Sequence, residues 1–268
     1  MGDPRPIGMF DSGAGGLTVA RAVLDALPAE RLLYVADTAR LPYGPRPAAE
    51  VRGFAVELAG RLLDRGAKLV VVACNSADSV ALDTLAATLP VPVVGVVAPT
   101  AAAAAAATRT GVVGLIGTEM TVGSGSYEAA LAGTGVELHA AACPELGVLV
   151  HTGTPADELR AVIRRRVVPL AGYGIDTLVL GCTAYPLAER RLADELGDQI
   201  TLVSSAGPAA DAVRAALDAG GLLAAPLPSP MPSEILVTGD PAAFERLTAV
   251  LGPHVATVGA LDAGVRAG

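Results

Sequence analysis

The stretch Leu69-Val70-Val71-Val72-Ala73-Cys74-Asn75-Ser76-Ala77 decides the fold. A short apolar run rich in valine breaks off at a cysteine, and a polar helix start follows, so Cys74 falls at the carboxyl end of a strand. The same grammar returns 108 residues later in Leu178-Val179-Leu180-Gly181-Cys182-Thr183-Ala184-Tyr185. Working outward, Ile7–Phe10, Leu32–Ala36 and Val93–Val97 are further short strands, each followed by loop chemistry and a longer helical pattern. The rhythm restarts at Gly111–Gly117 and runs through Glu137–Ala141 and Thr177–Gly181 to Thr201–Ser204. Strands alternating with helices in this way predict an α/β protein with mostly parallel sheets. The echo at Cys182 predicts two similar doubly wound lobes related by pseudo-two-fold symmetry. After Ser205 come a helix through Asp218, the proline-rich Pro226–Pro232, a strand Ile235–Thr238 and a helix from Pro241. This last part is expected to return to the first lobe, which makes the lobes residues 1–98 plus 206–268 and 99–205.

The 268 residues are enough for two cores, and 52% hydrophobic against 17% charged residues describes a compact globule. The 31 glycines and 20 prolines follow no short repeat, which excludes collagen-like, coiled-coil and disordered chains. A formal charge of −8, with no basic cluster larger than Arg164-Arg165-Arg166, argues against nucleic acid or an anionic membrane as partner. Met1-Gly2-Asp3-Pro4-Arg5-Pro6 lacks the apolar core of a signal peptide. The uncharged stretch between Asp83 and Arg109 is broken by Pro90, Pro92 and Pro99 into a strand and an alanine-rich helix, Ala101–Ala107 being its closely packed part, rather than a membrane span. A cytoplasmic protein is expected.

In open parallel sheets, ligands bind beyond the carboxyl ends of strands, where the next helix offers unpaired N–H groups and the positive end of its dipole. Cys74 and Cys182 both belong there. A helix N-terminus lowers the ordinary thiol pKa of about 8.5, so both positions suit an activated thiolate. The alternative, that each is a small buried apolar residue, is weakened by their matching positions. Cys143 reads as structural. Three widely separated cysteines without CxxC spacing predict no disulfide framework, zinc site or redox pair. Asp11-Ser12-Gly13-Ala14-Gly15-Gly16 follows the first strand and precedes the helix Leu17–Leu27. Its glycines let backbone approach an anionic ligand, although it is neither G-x-G-x-x-G nor a Walker loop. Asp11 and Ser12 also suit helix caps. Asp11 can in addition hydrogen-bond a thiol on a neighbouring strand, since strands one and three of such a sheet can be adjacent. The single lysine, Lys68, enters the strand leading to Cys74 from the end away from the site, which argues against a pyridoxal phosphate Schiff base. His139, His151 and His254 lack metal-ligand spacing. No metal and no cofactor are expected.

Taken in order, Asp11-Ser12-Gly13 with Gly15-Gly16, Pro42-Tyr43-Gly44, Cys74-Asn75-Ser76-Ala77, Cys143-Pro144, Gly181-Cys182-Thr183 with Tyr185-Pro186, and Thr238-Gly239-Asp240-Pro241 with Phe244 resemble the glutamate racemase family over nearly the whole chain. The resemblance implies two α/β lobes facing across a cleft and cofactor-free interconversion of L- and D-glutamate, whose D-product goes to peptidoglycan. It implies a small anionic amino acid as partner and leaves a homodimer open. Cys74 would act as base for one enantiomer and Cys182 for the other, with Asp11 assisting Cys74. Asp11, Ser12, Pro42, Tyr43, Gly44, Asn75, Ser76, Thr183 and Ala184 would line the substrate, with Ser76 in place of the commoner threonine. Inversion at Cα without a cofactor needs a proton donor and a proton acceptor on opposite faces, which two thiols supply. There are two departures. Ala184 stands where the family has a histidine, and His151 stands where it has a glutamate. His151 reaching into the volume vacated at Ala184 would replace the missing partner of Cys182. The competing readings are a relative acting on another small dicarboxylate (an aspartate racemase, a decarboxylase or a double-bond isomerase) and a paralogue that binds without turnover.

Overall fold

The computed structural model describes residues 2–152, 155–226 and 231–262, excluding the side chains of residues 151, 152, 253, 255 and 256. Its strands are β1 (Ile7–Asp11), β2 (Leu32–Ala36), β3 (Leu69–Val72), β4 (Val93–Gly95), β5 (Val112–Gly117), β6 (Glu137–Ala142), β7 (Thr177–Gly181), β8 (Thr201–Ser204), β9 (Ser233–Val237) and β10 (Val255–Ala260). They form a six-stranded sheet in the order β10-β9-β2-β1-β3-β4 and a four-stranded sheet in the order β6-β5-β7-β8. Every pairing is parallel. The run β2-β1-β3-β4 repeats the order β6-β5-β7-β8, so β3 and β7 are equivalent strands of two similar doubly wound units. Each equivalent strand ends one residue or two before a cysteine.

Both faces of the larger sheet are covered, as an all-parallel sheet requires. Alternate side chains of β1, β2 and β3 point to opposite faces. Met9, Tyr34 and Val71 pack under the helices Leu17–Ala26 and Ala206–Ala219, whereas Phe10, Val35 and Val72 pack under Ala48–Asp64 and Asn75–Thr88. Burying one such side chain contributes about 1.5–3 kcal/mol. The smaller sheet has its own cores, one of which includes Ala101 and Ala104 of the helix Val97–Ala107. Among the described residues no helix is long and apolar enough to cross a membrane.

Two local differences from the sequence reading have clear causes. The strand expected over Val93–Val97 stops at Gly95, because the buried Asp78 carboxylate accepts the N–H groups of Val96 and Val97 and so starts a helix there. β10 carries no clear signal of its own. It is an edge strand whose register on β9 shifts between Val255 and Thr257, a place where pairing rather than side-chain pattern defines the strand.

Candidate active site

β1 pairs with β3 with Phe10 opposite Val72, so Asp11 and Cys74 leave the sheet side by side. β5 pairs with β7 with Gly117 opposite Gly181, which places Thr118 and Cys182 in the same relation. Cys74 is the N-cap of the helix Asn75–Thr88, and Cys182 heads the 3-10 turn Tyr185–Ala188, the N–H of Tyr185 donating to the Cys182 carbonyl at 3.0 Å.

The loop after β1 meets the loop after β7 directly. The Thr183 hydroxyl donates to Asp11 Oδ2 at 3.4 Å, and the Thr18 hydroxyl reaches the Thr183 carbonyl at 3.5 Å. A Cβ on Gly15 would lie 2.8 Å from the Ala184 nitrogen, so glycine serves here the close approach of protein to protein. Asp11 is 2% exposed. Its Oδ2 also accepts the Gly16 N–H at 2.7 Å, the capping bond that its sequence position suggests, while Oδ1 has no hydrogen-bond partner among the described residues. A direct bond from Asp11 to a neighbouring thiol does not form. Cys74 Sγ instead contacts the Ser12 hydroxyl at 3.6 Å, because the Asp11 carboxylate turns toward the start of its own helix and toward Thr183.

Both thiols titrate above their ordinary range. Burial is the main cause for Cys74 and the Asp11 charge adds to it, against the N–H of Ala77 and the hydroxyl and N–H of Ser12. Burial likewise pushes Cys182 up to about 12, opposed by the N–H of Ala184 and Tyr185 and reinforced by Asp11. The lowered thiol pKa expected at helix starts is therefore not found, since desolvation outweighs the backbone donors. One carboxylate nonetheless acts on both sulfurs.

The remaining candidates divide by what they touch. Ser76 shares a hydrogen bond with Thr118 across the two units at 2.9 Å. The side chain of Asn75 accepts from the Tyr127 hydroxyl at 2.8 Å and donates to Ser205 at 3.5 Å. Tyr43 is buried and its phenol donates to Asp37. Gly44 abuts Thr118, to which a Cβ would come within 3.0 Å, and Pro42 follows a cis peptide bond. Ala184 is buried beside Tyr185, whose hydroxyl donates to the Cys143 carbonyl at 2.7 Å. Cys143 lies in an apolar core. His151 belongs to the helix Pro144–Thr152, but its side chain lies outside the described residues. Lys68 is held at the opposite end of β3 by Glu30 at 2.6 Å and by the carbonyls of Asp3 and Leu222. Among the described residues no three His, Cys, Asp or Glu side chains come together as a metal site. Sequence reasoning missed Thr118. Its signal was the internal repeat, which carries the position after β1 onto the position after β5.

Two equivalent strand ends, each bearing a thiol and joined over one buried carboxylate, belong to a known class. Residues 7–216 match the Asp/Glu/Hydantoin racemase family, and the chain belongs to it. Within that class the full-length similarity is to glutamate racemases. The one from Corynebacterium diphtheriae is 44% identical over 256 residues, covering 94% of this chain and 96% of that protein. A crystal structure of a Bacillus anthracis glutamate racemase isoform aligns with a TM-score of 0.91 and 37% identity over 98% of this chain and 99% of that one. The Thermus thermophilus glutamate racemase in complex with beta-chloro-D-alanine aligns at 0.86 and 44% identity, over 97% and 98%.

Proposed function

We propose that this chain is a cytoplasmic isomerase that interconverts L- and D-glutamate by moving the Cα proton between two thiols, supplying D-glutamate to peptidoglycan. The observation that carries the reading is the placement of Cys74 and Cys182 at the ends of equivalent strands, both under the influence of Asp11. A thiolate on one side takes the Cα proton and becomes a thiol, leaving its electron pair on carbon. The opposite thiol donates its proton to that carbon and becomes the thiolate. In the reverse direction the two sulfurs exchange roles, as general acid–base chemistry on a symmetric pair of faces requires. Backbone N–H groups at Ser12, Ala77, Ala184 and Tyr185 favour whichever sulfur is charged.

Ser12, Gly44, Ser76 and Thr183 are the residues proposed to hold the substrate. Asn75 and Tyr43, whose polar side-chain atoms already have protein partners, would contribute through their backbone and shape. Asp11 is proposed to assist Cys74. For Cys182, where Ala184 replaces the family's histidine, His151 is the proposed partner. The support is that its helix, Pro144–Thr152, packs against the turn Tyr185–Ala188. Circular dichroism of L-glutamate incubated with the purified chain tests the function, and the rotation is expected to decay to zero. Glutamate binding with no decay would replace this reading with that of a non-turning-over binder. Exchange of the Cα proton in deuterated water, undiminished from both enantiomers in His151→Ala, would remove His151 from the mechanism.

A further inference from the structure

Asp37 is the first residue after β2 and is fully buried. Three side chains converge on its carboxylate. Arg40 Nε donates to Oδ2 at 2.7 Å, the Tyr43 hydroxyl donates to the same oxygen, and the Thr238 hydroxyl donates to Oδ1 at 2.7 Å. These partners come from distant parts of the chain. Arg40 and Tyr43 flank the Leu41-Pro42 cis bond of the turn that ends in Gly44, whereas Thr238 follows β9 after a separation of 201 residues. The cluster is closed on its outer side. Arg40 also donates to Glu57 at 2.8 Å and lies over the Phe54 ring at 4.3 Å, and Phe54 packs against the Tyr43 ring with centroids 5.6 Å apart. On its inner side the turn presents Gly44 to Thr118, the residue bonded to Ser76. Thr238 is fixed twice over, since its Oγ1 also accepts the N–H of Ala39 at 3.1 Å.

We propose that Asp37 is a positioning residue for the substrate-binding turn Pro42-Tyr43-Gly44, and that the C-terminal Thr238-Gly239 segment braces that turn through Asp37 and through its contacts with Thr38 and Ala39. A buried carboxylate with three donors gives the turn one geometry, because moving Tyr43 or Arg40 away would strand a charge in the core. The proposal assigns work to two features that the two-thiol chemistry leaves idle. The Tyr43 phenol, which burial and the Asp37 charge both keep protonated, serves as a tether that places the Gly44 backbone. The Thr238-Gly239-Asp240 sequence, at the end of a strand the smaller unit lacks, is a brace against the turn.

This inference rests on the racemase reading, and its test separates the two. Thr238→Val keeps the side-chain shape, removes the hydroxyl and lies outside the proposed substrate contacts. Asp37→Asn removes the charge. Both variants, with melting curves to establish that they are folded, are compared with the parent for glutamate KM and kcat. Loss of the hydroxyl's bond to the buried charge, together with the one it accepts from the Ala39 N–H, predicts KM raised about tenfold or more with kcat within about threefold. Thr238→Ser is expected to restore KM. Tyr43→Phe combined with Asp37→Asn should raise KM no further than the larger single effect, because both break one tether. An unchanged KM in folded Thr238→Val, a loss confined to kcat, or additive effects of Asp37→Asn and Tyr43→Phe would each overturn the proposal. If Asp37→Asn does not fold, Thr238→Val and its serine rescue decide the matter. An inert parent would overturn the racemase reading instead, and calorimetric glutamate affinities of the same variants would then decide the positioning role.

Discussion

Gly15 is the point at which the two halves of the site touch backbone to backbone, and adding one methyl group there measures how closely the thiols must be held. A Cβ at residue 15 would lie 2.5 Å from Thr183 Oγ1 and 2.8 Å from both the Thr183 carbonyl carbon and the Ala184 nitrogen. The hydroxyl can rotate, but the two backbone atoms cannot. Gly15 is not among the glycines with positive φ, so alanine fits its own backbone and the whole effect comes from the contact. Restoring ordinary contact at 3.4 Å moves the loop carrying Cys182 back by about 0.6 Å, the response expected of close-packed surfaces that cannot absorb a methyl group. Since a 1 Å misplacement of reacting groups costs about a hundredfold in rate, Gly15→Ala should lower kcat/KM by about tenfold or more. Overpacking should also lower stability by ~1–3 kcal/mol. Gly13→Ala is the control. Its methyl would meet only the Leu41 Cδ1 tip, on a side chain exposed enough to swing aside. Racemisation followed by circular dichroism, with melting curves for each variant, reads both effects. A Gly15→Ala enzyme with parental kcat/KM, or one no more impaired than Gly13→Ala, would refute the idea that this contact sets the spacing of the sulfurs.

Cys74→Ser and Cys182→Ser should each reduce racemisation by about 10²–10⁴-fold. In deuterated water each variant should retain Cα exchange from one enantiomer only, the opposite one in the two cases, and symmetric exchange in either would count against assigning one thiol to each face. Lys68→Met leaves Glu30 charged in the core and should cost ~3–5 kcal/mol in a denaturant titration, with most of the loss recovered by adding Glu30→Leu. Because this pair lies at the far end of β3, kcat of the folded fraction should not change. Asp78 is held by two N–H donors, yet burial raises its carboxyl to about 7. The folded pKa exceeds the unfolded one, so its contribution is fully present below pH ~4 and is lost as pH rises through 7. Asp78→Asn should therefore gain on the parent between those values, by up to ~4 kcal/mol at pH 8, and a constant difference in melting temperature from pH 4 to 8 would contradict that assignment.

Much of this architecture is legible in the residues because parallel strands buried on both faces must be short apolar runs. Leu69–Val72 and Thr177–Gly181 stand out for that reason, and the chemistry at their carboxyl ends follows from where such strands stop. What is not legible is whatever depends on the approach of distant segments. Gly15 reads locally as a glycine beside an anion, yet in the fold its missing side chain admits Thr183. Tyr43 reads as a substrate contact, yet its hydroxyl is taken by Asp37. Thr118 lacks a local motif altogether, and only the repeat of β1 in β5 points to it. The resemblance to a family supplies the roles of residues, but it does not supply the partners that this chain's own packing has given them.

The thiol pKa values illustrate the same boundary, with a consequence for mechanism. Helix and turn starts do aim N–H groups at both sulfurs, as strand-end placement implies, but that local effect is smaller than the desolvation by burial. Both sulfurs therefore titrate above the ordinary thiol range. At rest the direction of both shifts favours the protonated thiol, and the N–H groups of Ser12, Ala77, Ala184 and Tyr185 work against burial and the Asp11 charge to make either thiolate accessible.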